Sequence, residues 1–344
     1  MLITASLAKF QPNLLKLEIL SQSQIPGLSN ELQLANLQKF IIAKGLTLQS
    51  YRKLRPRFDV PPEFEKYRFL ELQDKPLVIL DDSHILIPSA HLFVWALSTG
   101  LFYALSDHTK GEGKRNQFRT LFGLVFQDYV GRILNEAPLL LGKQWEVVPE
   151  FRSKLGKDSP DWLLVRDNTV ILIECKTSRL TLESRTFAYG EKFDDDARRC
   201  FVRPLQKLRD FVIGVRNRTF DHSSLRACKH FYGVVISFEP LRFANSTYSR
   251  IFSDDIADVH EVLDGFQFMA IEELERLVSF QKPDILTILT QKLNEAREDE
   301  WGGFLGKNYP VPEQHPVLRQ KLYDLFPGFE EHQRGADTKN TDTD

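Results

Sequence analysis

The apolar positions of the chain change period along its length, and the changes mark its elements. From residue 117 to about 135 they recur at helical spacing, which predicts one long apolar helix. Short runs that are apolar at consecutive positions follow, and these predict strands at 145–151, 162–166, 169–176, 230–238 and 267–271. Between the third and fourth strands, 190–218 reads as helical. Leu205, Leu208, Val212 and Val215 form one stripe there, and Pro204 is expected to kink or divide the helix. A further helix is expected over 282–296. This order predicts an α/β core with a central mixed sheet flanked by helices.

Upstream, 1–108 reads as an accessory α+β region. It has helical patterns over 13–20 and 31–43, a proline-interrupted loop over 55–62, and a short hairpin of 77–80 with 85–87 around Asp81-Asp82-Ser83-His84. Residues 85–105 approach the roughly 20-residue length of a bilayer span. Pro88, His91 and several hydroxyls interrupt them, however, and no Lys or Arg flanks them closely upstream, so a strand end and a buried helix over 89–106 are expected instead. The chain divides into the accessory region (1–108, target or partner binding), a core (109–281), a helical extension (282–329) and a tail (330–344). The tail has almost no apolar residues and is expected to be disordered. The segment 108–116, with two glycines and several cations, is the best linker.

Composition changes this picture little. The 344 residues carry 45 Lys and Arg against 47 Asp and Glu, a net charge of −2, so attraction for nucleic acid must come from local patches. Cys175, Cys200 and Cys228 are too far apart for a disulfide framework or a zinc spacing, and a reducing cytoplasm is the expected compartment. No secretory signal pattern opens the chain. There is no Gly-x-x-x-x-Gly-Lys-Ser/Thr loop, no Gly-x-Ser-x-Gly elbow and no His-Glu-x-x-His helix, so metal but no nucleotide is expected as cofactor.

The chemistry concentrates in residues 159–176. Two apolar runs, Trp162–Val165 and Val170–Ile173, flank Asp167-Asn168, a dipeptide that tolerates positive φ and suits a tight hairpin turn. With those two residues as the loop, Arg166 pairs with Thr169 and Asp161 falls opposite Glu174. Cross-strand Cβ atoms lie about 4.5–5.5 Å apart, and strand alternation puts Lys176 on the face of Glu174. Runs apolar on both faces imply a buried strand pair, where charges are costly unless compensated. A divalent cation would compensate the carboxylates. Asp161, Glu174 and the backbone carbonyl of Cys175 are hard oxygen donors suited to Mg²⁺ or Mn²⁺. The Cys175 side chain points to the opposite face as a small core residue. Lys176 could orient a water, lower its pKa or stabilise charge on a pentacovalent phosphate, and these roles stay open. Glu150, at the end of the preceding strand, is a further candidate.

Pro160-Asp161 followed thirteen residues after the aspartate by Glu174-Cys175-Lys176 resembles the signature of the PD-(D/E)XK nuclease superfamily, over about residues 117–271. The resemblance implies a restriction-endonuclease-like fold and metal-dependent phosphodiester hydrolysis, with Asp161, Glu174 and Lys176 catalytic. In Gly123-Leu124-Val125-Phe126-Gln127-Asp128-Tyr129-Val130, Gln127 occupies the place of the family's glutamate, which favours one metal over two. Gln206 resembles a glutamine found in the helix after the hairpin in many relatives.

Phosphate contacts are expected from Arg179 and Arg185, from Arg198, Arg199, Arg203 and Lys207, and from Lys114 and Arg115 before the first core helix. The reading is a cytoplasmic DNA endonuclease, with RNA left open, belonging to a prokaryotic defence or mobile-element system. Protein partners or self-association would act through the first region, and no membrane is involved. A catalytically weak or inactive binding or scaffold subunit of a larger assembly is the alternative.

Overall fold

The computed structural model describes residues 14–16, 38–53, 72, 75–97, 99–109, 114–137, 140, 145–177, 180–181, 184, 190–241, 244–280, 283–295 and 301–309. These fall into two compact units, divided between Arg115 and Asn116.

The first unit contains a four-stranded sheet of order β1-β4-β3-β2, formed by β1 (Leu14–Lys16), β2 (Gly45–Thr47), β3 (Leu77–Ile79) and β4 (His84–Leu86). The expected hairpin is β3 with β4, closed where Asp81 accepts from Ser83 N at 2.7 Å. The helical pattern over 13–20 is corrected in part, because Leu14–Lys16 pairs antiparallel with β4, so sheet pairing overrides a weak local helical preference. Residues 38–44 are helical, while the loop at 55–62 and the tail at 330–344 lie outside the described residues. The expected helix over 89–106 is two helices, α1 (Ala90–Leu97) and α2 (Thr99–His108). Phe93 from α1 joins Leu77, Ile85 and Ile87 in a small core. Among the described residues no helix is long and apolar enough to cross a membrane.

The second unit is α/β. It opens on the long helix α3 (Lys114–Asn135), and its mixed sheet has order β5-β6-β7-β8-β9. The strands are β5 (Glu146–Pro149), β6 (Trp162–Arg166), β7 (Thr169–Lys176), β8 (His230–Ser237) and β9 (Gly265–Ala270). The first three run antiparallel, and β8 and β9 continue parallel to β7. The β6–β7 hairpin has the expected register, Arg166 opposite Thr169 through Trp162 opposite Ile173, and Asp167 takes φ 53° in its turn.

Strand alternation divides the core in two. Leu164, Ile171, Ile173, Val234 and Ile236 face one cluster with Phe126, Val130 and Ile133 of α3. Leu163, Val165, Val170, Leu172 and Val235 face the other with Phe193, Leu205 and Leu208. The helical stretch on this second face is continuous but not uniform. A π-helical turn, Arg198–Val202, joins α4 (Glu191–Ala197) to α5 (Arg203–Arg216). Pro204 has no N–H for the carbonyl four residues back, and the wider turn just before it accommodates the ring.

Beyond β9, α6 (Ile271–Val278), α7 (Ile285–Asn294) and α8 (Trp301–Asn308) pack into the α3-side core, although sequence set residues from 282 onward apart as an extension. Asp284 caps α7 through Leu286 N at 2.9 Å, and it also accepts from Trp145 Nε1 at 3.0 Å and Arg166 Nη1 at 2.6 Å.

Two glycines on α3 separate by environment. A Cβ on Gly131 would lie 1.9 Å from Cζ2 of Trp162, whose indole N–H donates to the Gln127 carbonyl at 3.0 Å. At Gly123 the nearest atom would be Thr177 Oγ1 at 4.0 Å. Gly131→Ala should therefore cost about 1–3 kcal/mol through overpacking, whereas Gly123→Ala should be neutral or gain up to about 1 kcal/mol of helix propensity. Urea unfolding of the two variants checks this. Equal effects would mean that α3 does not need its close approach to β6.

Candidate active site

Pairing between β6 and β7 ends at Trp162 opposite Ile173, and one further step sets Asp161 opposite Glu174, as the turn chemistry requires. The same step from Pro149 opposite Trp162 brings Glu150 to Asp161, so three acidic positions lie in one row across the end of the sheet. By alternation Asp161, Glu174 and Lys176 share the face covered by α5, and Cys175 packs on the α3 side.

Asp161 Oδ2 accepts from the backbone N–H of Cys175 at 2.6 Å. In an extended strand the N–H and C=O of one residue point to the same edge. The Cys175 carbonyl therefore faces the Asp161 side, beyond the last β6 pair, in the position expected of a third oxygen donor. Glu174 is buried, and its Oε1 accepts from Lys176 Nζ at 2.7 Å. Its Oε2 has no aligned hydrogen-bond donor, but Lys207 Nζ approaches it as an ion pair at 2.8 Å and stands 4.0 Å from Asp161 Oδ1. An ammonium thus lies beside both acids, where a cation shared by them would sit.

Burial, and then the charge of Glu174, push the Asp161 carboxyl up to about 6, although Lys207, the Cys175 N–H and Lys176 pull the other way. Burial pulls Lys207 down, but Glu174 and Asp161 outweigh it and raise the ammonium above its ordinary value. Burial first, and the two acids second, raise the Cys175 thiol well above its usual range, which argues against a thiolate nucleophile.

The donors fit a hard cation in type: two carboxylates and a carbonyl. No group of three or more His, Cys, Asp or Glu side chains suited to a metal occurs among the described residues, so the carbonyl would be needed to complete the protein's share.

The remaining expected site residues lie at varying distances from this centre. Gln127 is on α3, whose apolar side packs on the opposite face of the sheet, and its Nε2 donates to Glu150 Oε2 at 3.4 Å, at the end of the acidic row. Glu150 is exposed but adds to the field that raises Lys207. Gln206 is half-buried on α5. Arg198 pairs with Asp255, and Arg199 with Asp196 at 2.6 Å, while Arg203 is exposed. Arg179 and Arg185 lie outside the described residues, as do the side chains of Lys114 and Arg115.

Lys207 is the residue whose place sequence reading missed, having been assigned to a phosphate track. Its signal was present: it follows buried Pro204 by three residues and precedes buried Phe211 by four, which places it beside the inward stripe of α5.

No family model matches the chain, and no curated protein does. Among solved structures, the small subunit (R.BspD6I2) of the heterodimeric restriction endonuclease R.BspD6I aligns over 61% of this chain and 98% of its own, at 14% identity and a TM-score of 0.29. Restriction endonuclease FokI aligns over 79% of this chain and 41% of its own, at 10% identity and a TM-score of 0.27.

The raised Asp161 carboxyl has a definite sign in stability. The metal-free folded protein holds this proton more tightly than the unfolded chain, so its contribution is full below about 3.8 and is lost as pH rises through about 6. In chelator near neutral pH, Asp161→Asn should therefore be more stable than wild type by about 2–3 kcal/mol, with the gain vanishing near pH 4. Glu174→Gln should destabilise, because it strips Lys176 and Lys207 of their shared partner. Denaturant titrations at both pH values read these opposite signs.

Proposed function

We propose that the chain is a metal-dependent nuclease of the PD-(D/E)XK type that hydrolyses phosphodiester bonds of DNA. The observation that carries this reading is the buried Asp161–Glu174 pair at the end of a hairpin, with Lys176 on the same face and Lys207 Nζ beside both acids. Two acids and two ammoniums balance in charge, which leaves oxygen donors for a metal and cations for a phosphate.

Mg²⁺ or Mn²⁺ held by Asp161, Glu174 and the Cys175 carbonyl would supply Lewis-acid polarisation of a phosphoryl oxygen and a more acidic water. The remaining roles fall to side chains. The backbone N–H of Cys175 fixes the rotation of Asp161 by holding Oδ2, leaving Oδ1 toward the site. Glu174 anchors Lys176 at 2.7 Å, and the Lys176 ammonium, partly exposed, can turn from that anchor to an attacking water or to the charge that develops on phosphorus. Lys207 compensates the acids at rest, and once released from Glu174 it can pair with a phosphate oxygen.

A second reading is favoured by one observation: both oxygens of Glu174 already face an ammonium. On that reading the four charges are a closed structural network in a binding or scaffold subunit that takes no metal.

Supercoiled DNA, linear DNA and RNA, each incubated with Mg²⁺, Mn²⁺ or chelator, test the proposal. Cleavage of DNA in metal and none in chelator is expected, and Asp161→Ala, Glu174→Ala and Lys176→Ala should each abolish it. Calorimetric titration of Mn²⁺ without DNA separates the two readings. The nuclease reading expects binding, strengthened at least about fivefold by Lys207→Met as a competing cation leaves. The structural network expects no binding in either protein.

A further inference from the structure

Between residues 196 and 230 the sequence holds nine Lys and Arg against three Asp. Arg198, Arg199 and Arg209 are paired with carboxylates and Lys207 stands in the acid site. Apart from the exposed Arg203, the remaining cations gather elsewhere. Arg216, Arg218, Arg226 and Lys229, together with Lys154, line a cleft of about 770 Å³ in which Asp221 is the one carboxylate among the described lining residues.

This cleft is separate from the acid site. The backbone N–H of Lys229 donates to the Asn168 carbonyl at 2.8 Å, in the β6–β7 turn, so the cleft lies at the opposite end of β7 from Glu174. Six residues of strand separate Asn168 from Glu174, which is about 20 Å at about 3.3 Å per residue.

Its charges are only partly used. Asp221 is shared by Lys154 at 3.1 Å and Arg226 at 3.2 Å. Arg216 donates to the Val262 carbonyl at 3.3 Å, which leaves its charge uncompensated. Arg218 and Lys229 have no ion-pair or hydrogen-bond partner for their side chains among the described residues. Five cations around one carboxylate repel one another, and nothing within the cleft offsets the surplus. Two further features set the lining apart from an ordinary solvated face. Arg218 takes φ 58°, a conformation uncommon outside glycine. His222, its ring 5.0 Å from Phe151, has a buried Nδ1 with no hydrogen-bond partner. A ligand with acceptor oxygens supplies the negative charge that the guanidinium and ammonium groups lack. The volume falls in the range of small-ligand sites, roughly 300–1,000 Å³.

We propose that this cleft binds a phosphorylated anion, remote from the acid pair and independent of the nuclease reading. Guanidinium groups favour phosphate through paired charge-assisted hydrogen bonds, and Arg216, Arg218 and Arg226 supply three of them. The phosphate can come from a free oligophosphate or from a nucleic-acid strand.

The test uses the full chain in phosphate-free buffer with chelator, so that no metal enters the acid site. Pyrophosphate, ATP and a single-stranded 12-mer of thymidine are titrated calorimetrically into wild type and into the double variant Arg218→Gln, Lys229→Gln. Neither side chain has a partner among the described residues, and unchanged unliganded melting confirms that the variant is folded. Binding of pyrophosphate and ATP that weakens at least about tenfold in the variant supports the cleft with a free ligand. The same weakening seen only with the 12-mer supports the cleft with a nucleic-acid strand. No binding of any probe to wild type, or equal binding by both proteins, overturns the proposal. Because chelator is present and cleavage is not read, a failure of the nuclease reading leaves these outcomes unaffected.

Discussion

Two carboxylates are forced opposite one another at the end of a buried hairpin, and much of the site follows from that. The two-residue turn at Asp167-Asn168 sets the register, the register sets Asp161 against Glu174, and strand alternation sets Lys176 on their face. Neither acid can move away without slipping the hairpin, and a one-residue slip would turn Leu163, Val165, Val170 and Leu172 out of their core. Repulsion between the acids is therefore opposed by apolar packing along both strands. Lys176 from the same strand and Lys207 from α5 compensate locally, and an α5 placed to bury Leu205 and Leu208 also delivers the second ammonium.

Much of this was legible in sequence because it depends on local rules. Turn residues and period-two packing sufficed to give the bounds of β6 and β7, their pairing, the shared face of the acids and the opposite face of Cys175. The helical stripe on α5 was equally clear. What escaped depends on which helix covers which face. Lys207 looked like one more member of a basic run, because a charge list does not say which cations turn inward. Helical spacing placed Gln127 in line with Gly123 and Gly131, but it could not show that α3 covers the other side of the sheet or that the amide would meet Glu150. The strand at Leu14–Lys16 shows the same limit, since its pairing partner lies about seventy residues away.

Except for Arg203, the basic run between 196 and 230 divides three ways: into internal ion pairs, one cation for the acid site, and a group around a cleft at the far end of β7. A net charge near zero thus coexists with a charge-balanced cluster at one end of β7 and a surplus of cations at the other. Their separation is set by the length of β7.

The Asp284 carboxylate has a practical consequence. It ties Trp145 beside β5, Arg166 at the turn end of β6 and the start of α7 through three hydrogen bonds. A fragment ending near residue 281 would retain the hairpin and every proposed ligand, yet it would lose this clasp and the α7 and α8 side chains that fill the α3-side core. A piece expected to hold its shape therefore extends past α8, and excision of the second unit for assembly into a chimera should keep α7 and α8.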